Sequence, residues 1–194
     1  MYQPIIEQHK KISLEEESHT YKLLNSKIEF HSVTEFINTF FNPFDEKKIA
    51  KKLSGYGKYQ NMSFEDILLD WGKRRNRGTR VHKEIENFLN SNLEYEDQLD
   101  PKSKQAIIFL KKKCLNKDNI LFSEVKICSE ELQLAGTIDL MIYSKKNNKI
   151  YLIDWKTNID IKKKGYNKGT CFPTNSIDDC SFNRYTLQLS MYQY

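Results

Sequence analysis

Two aspartates and a lysine carry the first chemical signal in this chain. Asp139 falls in residues 133–143, and Asp154 and Lys156 fall in residues 149–156. Both stretches are rich in Ile, Leu and Tyr, and the turn-like residues 144–148 join them. Pairing Tyr143 with Ile150 across that turn sets Asp139 opposite Asp154 and Thr137 opposite Lys156, on one face of a hairpin. Ile138, Leu140, Ile142, Ile153 and Trp155 then point to the other face, as core. Like charges directly opposed on paired strands are destabilising. A bound divalent cation removes that penalty, and hard oxygen donors suit Mg²⁺ or Mn²⁺. Lys156 offsets part of the charge, and it can position an attacking water or stabilise negative charge developing at phosphorus. A solvated surface ion pair is the plainer alternative, and the flanking aliphatic runs argue against it.

The elements that must position these groups are mostly helices on the N-terminal side. Residues 20–30 read as a small hairpin turning at Asn25 and Ser26. Ser32 and Glu35 match a capping box, and Phe36, Ile37, Phe40 and Phe41 give the helix that follows its apolar face until Pro43 ends it. A second helix starts at Ser63 with Ile67, Leu68 and Trp71 inward. Asn76, Arg77 and Gly78 interrupt it, and Thr79 caps a third helix with the buried stripe Val81, Ile85, Phe88 and Leu89. His82 lies on that helix; taken alone it reads as structural. Glu86, four residues on, shares its face and is placed to orient the ring from behind. Asp100 and Pro101 start a fourth helix carrying Ile107, Phe109, Leu110, Cys114 and Leu115.

A strand over residues 120–128 carries Glu124. Residues 157–183 are polar and lysine-rich with no period, which fits a lid or an irregular loop. A final helix from about Arg184 holds Gln188 and Tyr192 one turn apart. The chain stops inside it at Tyr194, which reads as a truncated end. The expectation is one α/β domain over residues 1–194, with a helical part at about 30–117 and a sheet plus final helix at about 118–194. A central mixed β-sheet of four or five strands would be flanked by helices.

The chain has 194 residues and a net charge of +5, enough length for a single core. Its bases are grouped: Lys47, Lys48, Lys51 and Lys52; Lys73, Arg74, Arg75, Arg77 and Arg80; residues 111–113; and Lys162, Lys163 and Lys164. Such groups suit a polyanionic partner. No stretch approaches the ~20 apolar residues of a membrane span, and the start resembles no targeting peptide, so an intracellular, soluble protein is expected. The four cysteines are widely spread with no C-x-x-C pair, and they read as free thiols rather than ligands of zinc or an iron–sulfur cluster.

Taken together the motifs resemble the PD-(D/E)xK nuclease superfamily and, within it, the RecB-like exonuclease branch that includes mitochondrial genome maintenance exonucleases and phage and viral relatives. Gly136, Thr137, Ile138 and Asp139, followed by Asp154, Trp155 and Lys156, are similar to its paired active-site motifs. Gly78, Thr79 and His82 resemble the upstream Gly-Thr-x-x-His motif, Gln188 and Tyr192 the downstream Gln-x-x-x-Tyr motif, and residues 32–37 the helix start near the N-terminus. The likeness spans about residues 20–194.

The resemblance implies a restriction-endonuclease-like core and metal-dependent hydrolysis of phosphodiesters. Asp139, Asp154, the Trp155 carbonyl and His82 would hold Mg²⁺ or Mn²⁺, and Lys156 would be the catalytic lysine. Gln188 and Tyr192 would orient the site or DNA, and Glu124 would support a water or Lys156. Ser32 and Thr34 join Arg74, Arg75, Arg77 and Arg80 as candidate DNA contacts, although helix capping also accounts for the first two. Some relatives hold an iron–sulfur cluster, but no cysteine group follows Gln188 here, so none is expected. DNA, single-stranded by preference, is the expected partner. The sequence shows no helix-turn-helix, and aromatics stand near bases: Phe40, Phe41, Phe44, Tyr56, Tyr59, Tyr166 and Phe172. A catalytically silent nucleic-acid-binding module of the same fold is the alternative.

Overall fold

The computed structural model describes residues 1–16, 18–91 and 98–194. Ser63 opens the longest element. Its hydroxyl accepts from the Asp66 N–H (3.1 Å), and the Asp66 carboxylate accepts from the Ser63 N–H (3.1 Å), a reciprocal cap. The helix it starts, α4 (Phe64–Asn90), runs 27 residues without a break. The expected interruption at Asn76, Arg77 and Gly78 does not occur, and Thr79 is interior rather than a cap. Tertiary contacts override the local signal. Arg77 grips the buried Asp100 with two hydrogen bonds (2.6 and 2.9 Å), and Gly78 lies where a Cβ would come within 3.2 Å of Thr157 Oγ1.

Asp100 also caps α5 (Pro101–Phe109) by accepting from the Lys102 N–H (2.9 Å), and one π-helical turn, Leu110–Cys114, follows. Two elements lie outside the sequence expectations: α1 (Gln3–Lys11), with Pro4 in its first turn, and α3 (Glu46–Leu53), capped by Asp45, which accepts from the Lys48 N–H (2.9 Å). Ser32 caps the short α2 (Val33–Asn38) with Glu35, as the sequence indicates.

The sheet is mixed and four-stranded, with β5 (Leu134–Ser144) at its centre. All along one side, β4 (Asn119–Ser129) pairs with it antiparallel. The other side is shared. β6 (Lys149–Ile153) takes Leu140 to Ser144 antiparallel, with Tyr143 opposite Ile150, and β3 (His31–Ser32) takes Leu134 and Ala135 in parallel. Between them, Gly136, Thr137, Ile138 and Asp139 have no strand on that side among the described residues.

The face alternation expected along β5 holds for Leu140 and Ile142, which pack with Val81, Ile85, Phe88 and Ile107 of α4 and α5. Ile138 departs from it and packs with Val125 and Met141, beside Ile5 and Ile6 of α1. The switch falls where Glu124, at φ +50°, lies between the pairs Ser123↔Leu140 and Val125↔Ile138.

A separate hairpin forms from β1 (Ile12–Glu15) and β2 (Thr20–Leu23). The expected hairpin within residues 20–30 is thus redirected: β2 pairs backward, and Tyr21↔Phe30 is a single bridge. Burial of Ile12, Tyr21 and Phe30 against Ala135 rewards this choice. Residues 157–183 are not irregular throughout, since Thr174–Ser176 forms a 3₁₀ turn and Thr170 N–H donates to Phe40 O (2.8 Å). The last helix, α6 (Ser181–Gln193), packs Leu187, Met191 and Tyr192 onto α2 and Leu134. No helix among the described residues is long and apolar enough to cross a membrane.

Candidate metal centre

The chemistry-bearing groups collect around Asp139, at the end of the stretch of β5 that is paired on one side alone among the described residues. Asp139 leaves β5 there, Glu124 projects from the neighbouring point of β4, and α4 brings His82 across the same face. One ligand atom from each of these three residues lies within 4.8 Å of the others, and His82 Nδ1 is 3.5 Å from Asp139 Oδ2. A nitrogen and two carboxylates in that space could hold a metal ion.

Asp154 and Lys156 form the adjoining half. The β5–β6 ladder stops at Leu140↔Ile153, so Asp154 lies one residue and Lys156 three residues past the paired strand rather than inside it, and Lys156 is not paired with Thr137. Lys156 Nζ binds Asp154 Oδ2 at 2.7 Å. Gln188 spans the pair, accepting from Lys156 Nζ and donating to Asp154 Oδ1, each at 3.5 Å, and it donates to Tyr192 OH at 3.0 Å. Trp155 meets Asp139 through its backbone N–H (2.6 Å), and its ring packs edge-on against Phe109. The Tyr192 ring lies so close to Gly136 that a Cβ there would meet it at 2.5 Å, which accounts for glycine at that position.

The electrostatics are those of a site short of positive charge. Burial, then the charges of Asp139 and Glu86, push the Glu124 carboxyl up to about 7. The Asp139 carboxylate raises His82 above its usual value against the opposing effect of burial. Burial, then Asp139, raises Asp154, with Lys156 opposing. Burial raises the Tyr192 hydroxyl. Glu124 and Asp154 are thus both held toward their protonated forms.

Not every expected residue takes its expected part. Glu124, expected to support a water or Lys156, stands among the three converging donors. Its position opposite Asp139 follows from the β4–β5 register, which sequence alone left open. Glu86 binds Lys83 (2.8 Å) and acts on Glu124 through charge. Ser32 and Thr34 both line a cavity of about 240 Å³ with Tyr21, Glu124, Asp139 and Gln188. The Ser32 hydroxyl is buried and accepts from Glu35 N–H (3.1 Å), whereas Thr34 is exposed. Tyr185, which sequence reading missed, puts its ring 4.5 Å from Lys156 Nζ; its spacing of three and seven from Gln188 and Tyr192 is the signal. A larger cleft of about 620 Å³ opens on the α1 side among Ile127, Ile150 and Met191, away from these acids.

No protein-family model matches the chain, and no curated protein or solved structure matches it. The four candidate arginines are all engaged: Arg74 with Asp70 (2.9 Å), Arg75 with Glu46, and Arg77 and Arg80 with Asp100 (2.6 and 3.0 Å). These contacts hold the Asp100 carboxyl well below the usual carboxylate range, Arg77 foremost.

Proposed function

We propose that the chain is a metal-dependent deoxyribonuclease of the PD-(D/E)xK class and RecB-like branch, built on a restriction-endonuclease-like core and working from free ends of single-stranded DNA. The observation that carries this reading is the juxtaposition of His82, Glu124 and Asp139 with the Asp154–Lys156 pair, where β5 is left without a partner on one side among the described residues. His82, Glu124 and Asp139 would hold Mg²⁺ or Mn²⁺, with Asp154 close enough to share its field. A divalent cation there supplies Lewis-acid stabilisation of the phosphoryl group and acidifies water. Lys156, held by Asp154, Gln188 and the Tyr185 ring, keeps a fixed ammonium where negative charge develops, without reorganisation during the step. Metal-dependent cleavage of labelled oligonucleotides tests the reading. Binding without cleavage would favour a silent module of the same fold.

End preference is expected to show directly. With Mn²⁺ or Mg²⁺ present, linear single-stranded DNA is degraded and a circle of equal length persists, with intact duplex cut more slowly. Phe44, Tyr56, Tyr166 and Phe172 are exposed rings, and bases stack on such rings at about 1–3 kcal/mol each without regard to sequence. Rapid loss of the circle would overturn end preference and leave the metal site standing.

The arginines separate into two kinds. Arg74 and Arg75 sit half-exposed in surface pairs that cost little to break. Their replacement by Ala is expected to weaken DNA binding evenly across sequences and to flatten the salt dependence by roughly 0.7 per lost phosphate contact. An unchanged salt slope would remove both from the binding surface. Arg77→Ala takes two hydrogen bonds from the buried Asp100 carboxylate and leaves it to Arg80 and the Lys102 N–H, so its expected effect is a lowered unfolding midpoint.

A further inference from the structure

Asp154 and Lys156 lie past the last pair of the β5–β6 ladder, so something other than strand pairing must hold them. Ahead of Lys156, the Trp155 N–H is tied to Asp139 (2.6 Å). Behind it, Lys102 Nζ donates to the carbonyls of both Thr157 and Asn158, the second at 3.0 Å. The Asn158 side chain accepts from Tyr185 OH (2.9 Å).

Lys102 itself is firmly placed. Its backbone N–H binds Asp100, which Arg77 and Arg80 of α4 clamp. It also sits in the first turn of α5, where the helix dipole disfavours a cation, and the two carbonyl oxygens offset that. Across the same segment, Gly78 lets α4 approach Thr157 to a distance a Cβ would crowd, at 3.2 Å.

We propose that Lys102 is a positioning residue for the Asp154–Lys156 pair, pinning the chain just beyond Lys156 against α4 at Gly78. The inference rests on reading Asp154 and Lys156 as active-site groups. An ammonium offers three donors, and two of them span consecutive carbonyls here. Methionine keeps the stem and loses the donors, whereas arginine keeps both.

The test uses Lys102→Met, Lys102→Arg and Gly78→Ala in the full chain, read by amide hydrogen exchange and by cleavage of single-stranded DNA with Mn²⁺. In Lys102→Met, the Trp155 amide is expected to exchange about tenfold faster or more, while amides of the β4–β5 ladder keep their rates. The kcat is expected to fall on the order of 10- to 100-fold, the scale for misplacing a reacting group by about 1 Å, with KM little changed. Lys102→Arg restores most of both. Gly78→Ala improves helix propensity yet crowds Thr157, so a fall in kcat without loss of stability supports the same device, including the case in which Lys102→Met does not fold.

Unchanged Trp155 exchange in Lys102→Met overturns the proposal. So does faster exchange with unaltered kcat, which would leave Lys102 a brace that catalysis does not use. A wild-type protein that cleaves nothing would defeat the nuclease reading, while the exchange rates would still show whether Lys102 pins the segment.

Discussion

On the nuclease reading, Asp154→Asn and Lys156→Ala are each expected to reduce cleavage by at least about 10²–10³-fold, the cost of removing a single preorganised electrostatic group, while DNA binding is expected to stay near wild type. Binding is dominated by phosphate contacts spread over the surface, whereas these two groups sit 2.7 Å apart beside the converging donors. Asp154→Asn is the cleaner variant, because the amide keeps the shape and a partner for Gln188 while losing the charge. Lys156→Ala leaves a buried carboxylate without its cation, so its carboxyl should move still further toward the protonated form. Asp160→Asn, on an exposed position six residues from Asp154, serves as the control and should cut normally. Single-turnover cleavage with fluorescence anisotropy on the same variants separates the two effects. Near-normal cleavage by either active-site variant would show that the chemistry lies elsewhere.

The parts of this site that sequence could reveal are those governed by local rules. Tyr143 does pair with Ile150, because a polar turn between two aliphatic stretches with period two leaves few registers that bury one face. Ser32, Ser63 and Asp100 cap helices as their side chains dictate. The failures share one cause, which is dependence on residues far along the chain. Gly78 reads as a helix breaker until Thr157 is seen against it. Arg77 and Arg80 read as candidate DNA contacts until Asp100, a buried residue 23 and 20 positions away, is found between them.

The strand end shows the same limit. Alternation extends Asp154 and Lys156 into the sheet, but the ladder ends at Ile153. The backbone turns out to meet Asp139 through the Trp155 N–H instead. Glu124 is the instructive case. Its type and strand were readable, but its place beside Asp139 and His82 depends on the β4–β5 register and on a positive φ that breaks the alternation of both strands. The groups converge where regular pairing is given up.

Protons and a metal ion are expected to compete for that convergence, which makes stability depend on pH in a direction set by the site. Three carboxyl or imidazole groups carry raised folded-state values: Glu124 at about 7, and His82 and Asp154 upward from their usual values. A group with a raised folded value binds its proton more tightly in the fold than in the unfolded chain. Its stabilisation is therefore present below the unfolded value and lost as pH rises through the folded one. For Glu124 that window runs from its ordinary 4.5 to about 7; for His82 it begins near 6.5 and extends upward. His9, lowered by burial and by Lys126, acts oppositely below its ordinary 6.5, and Asp100, lowered chiefly by Arg77, acts below its ordinary 3.8.

Without metal, the unfolding midpoint should thus fall between pH 5 and 8. Glu124 contributes on the order of 2 kcal/mol after allowance for its partial exposure. Adding Mn²⁺ reverses the fall, because the ion takes the place of the protons; at 100 times its Kd it contributes about 2.7 kcal/mol, and binding releases protons. The metal-induced rise in midpoint should therefore grow from pH 5.5 to 8. Glu124→Gln should flatten the metal-free profile. His82→Ala should weaken Mn²⁺ more than Mg²⁺, with a smaller loss of stability than Ile85→Ala, whose side chain is buried in the α4 core. Thermal melts across pH with and without Mn²⁺, paired with calorimetric titration in buffers of different ionisation enthalpy, provide the measurement. A metal shift that is independent of pH, or a titration that His82→Ala leaves unchanged, would mean that no cation is held among His82, Glu124 and Asp139.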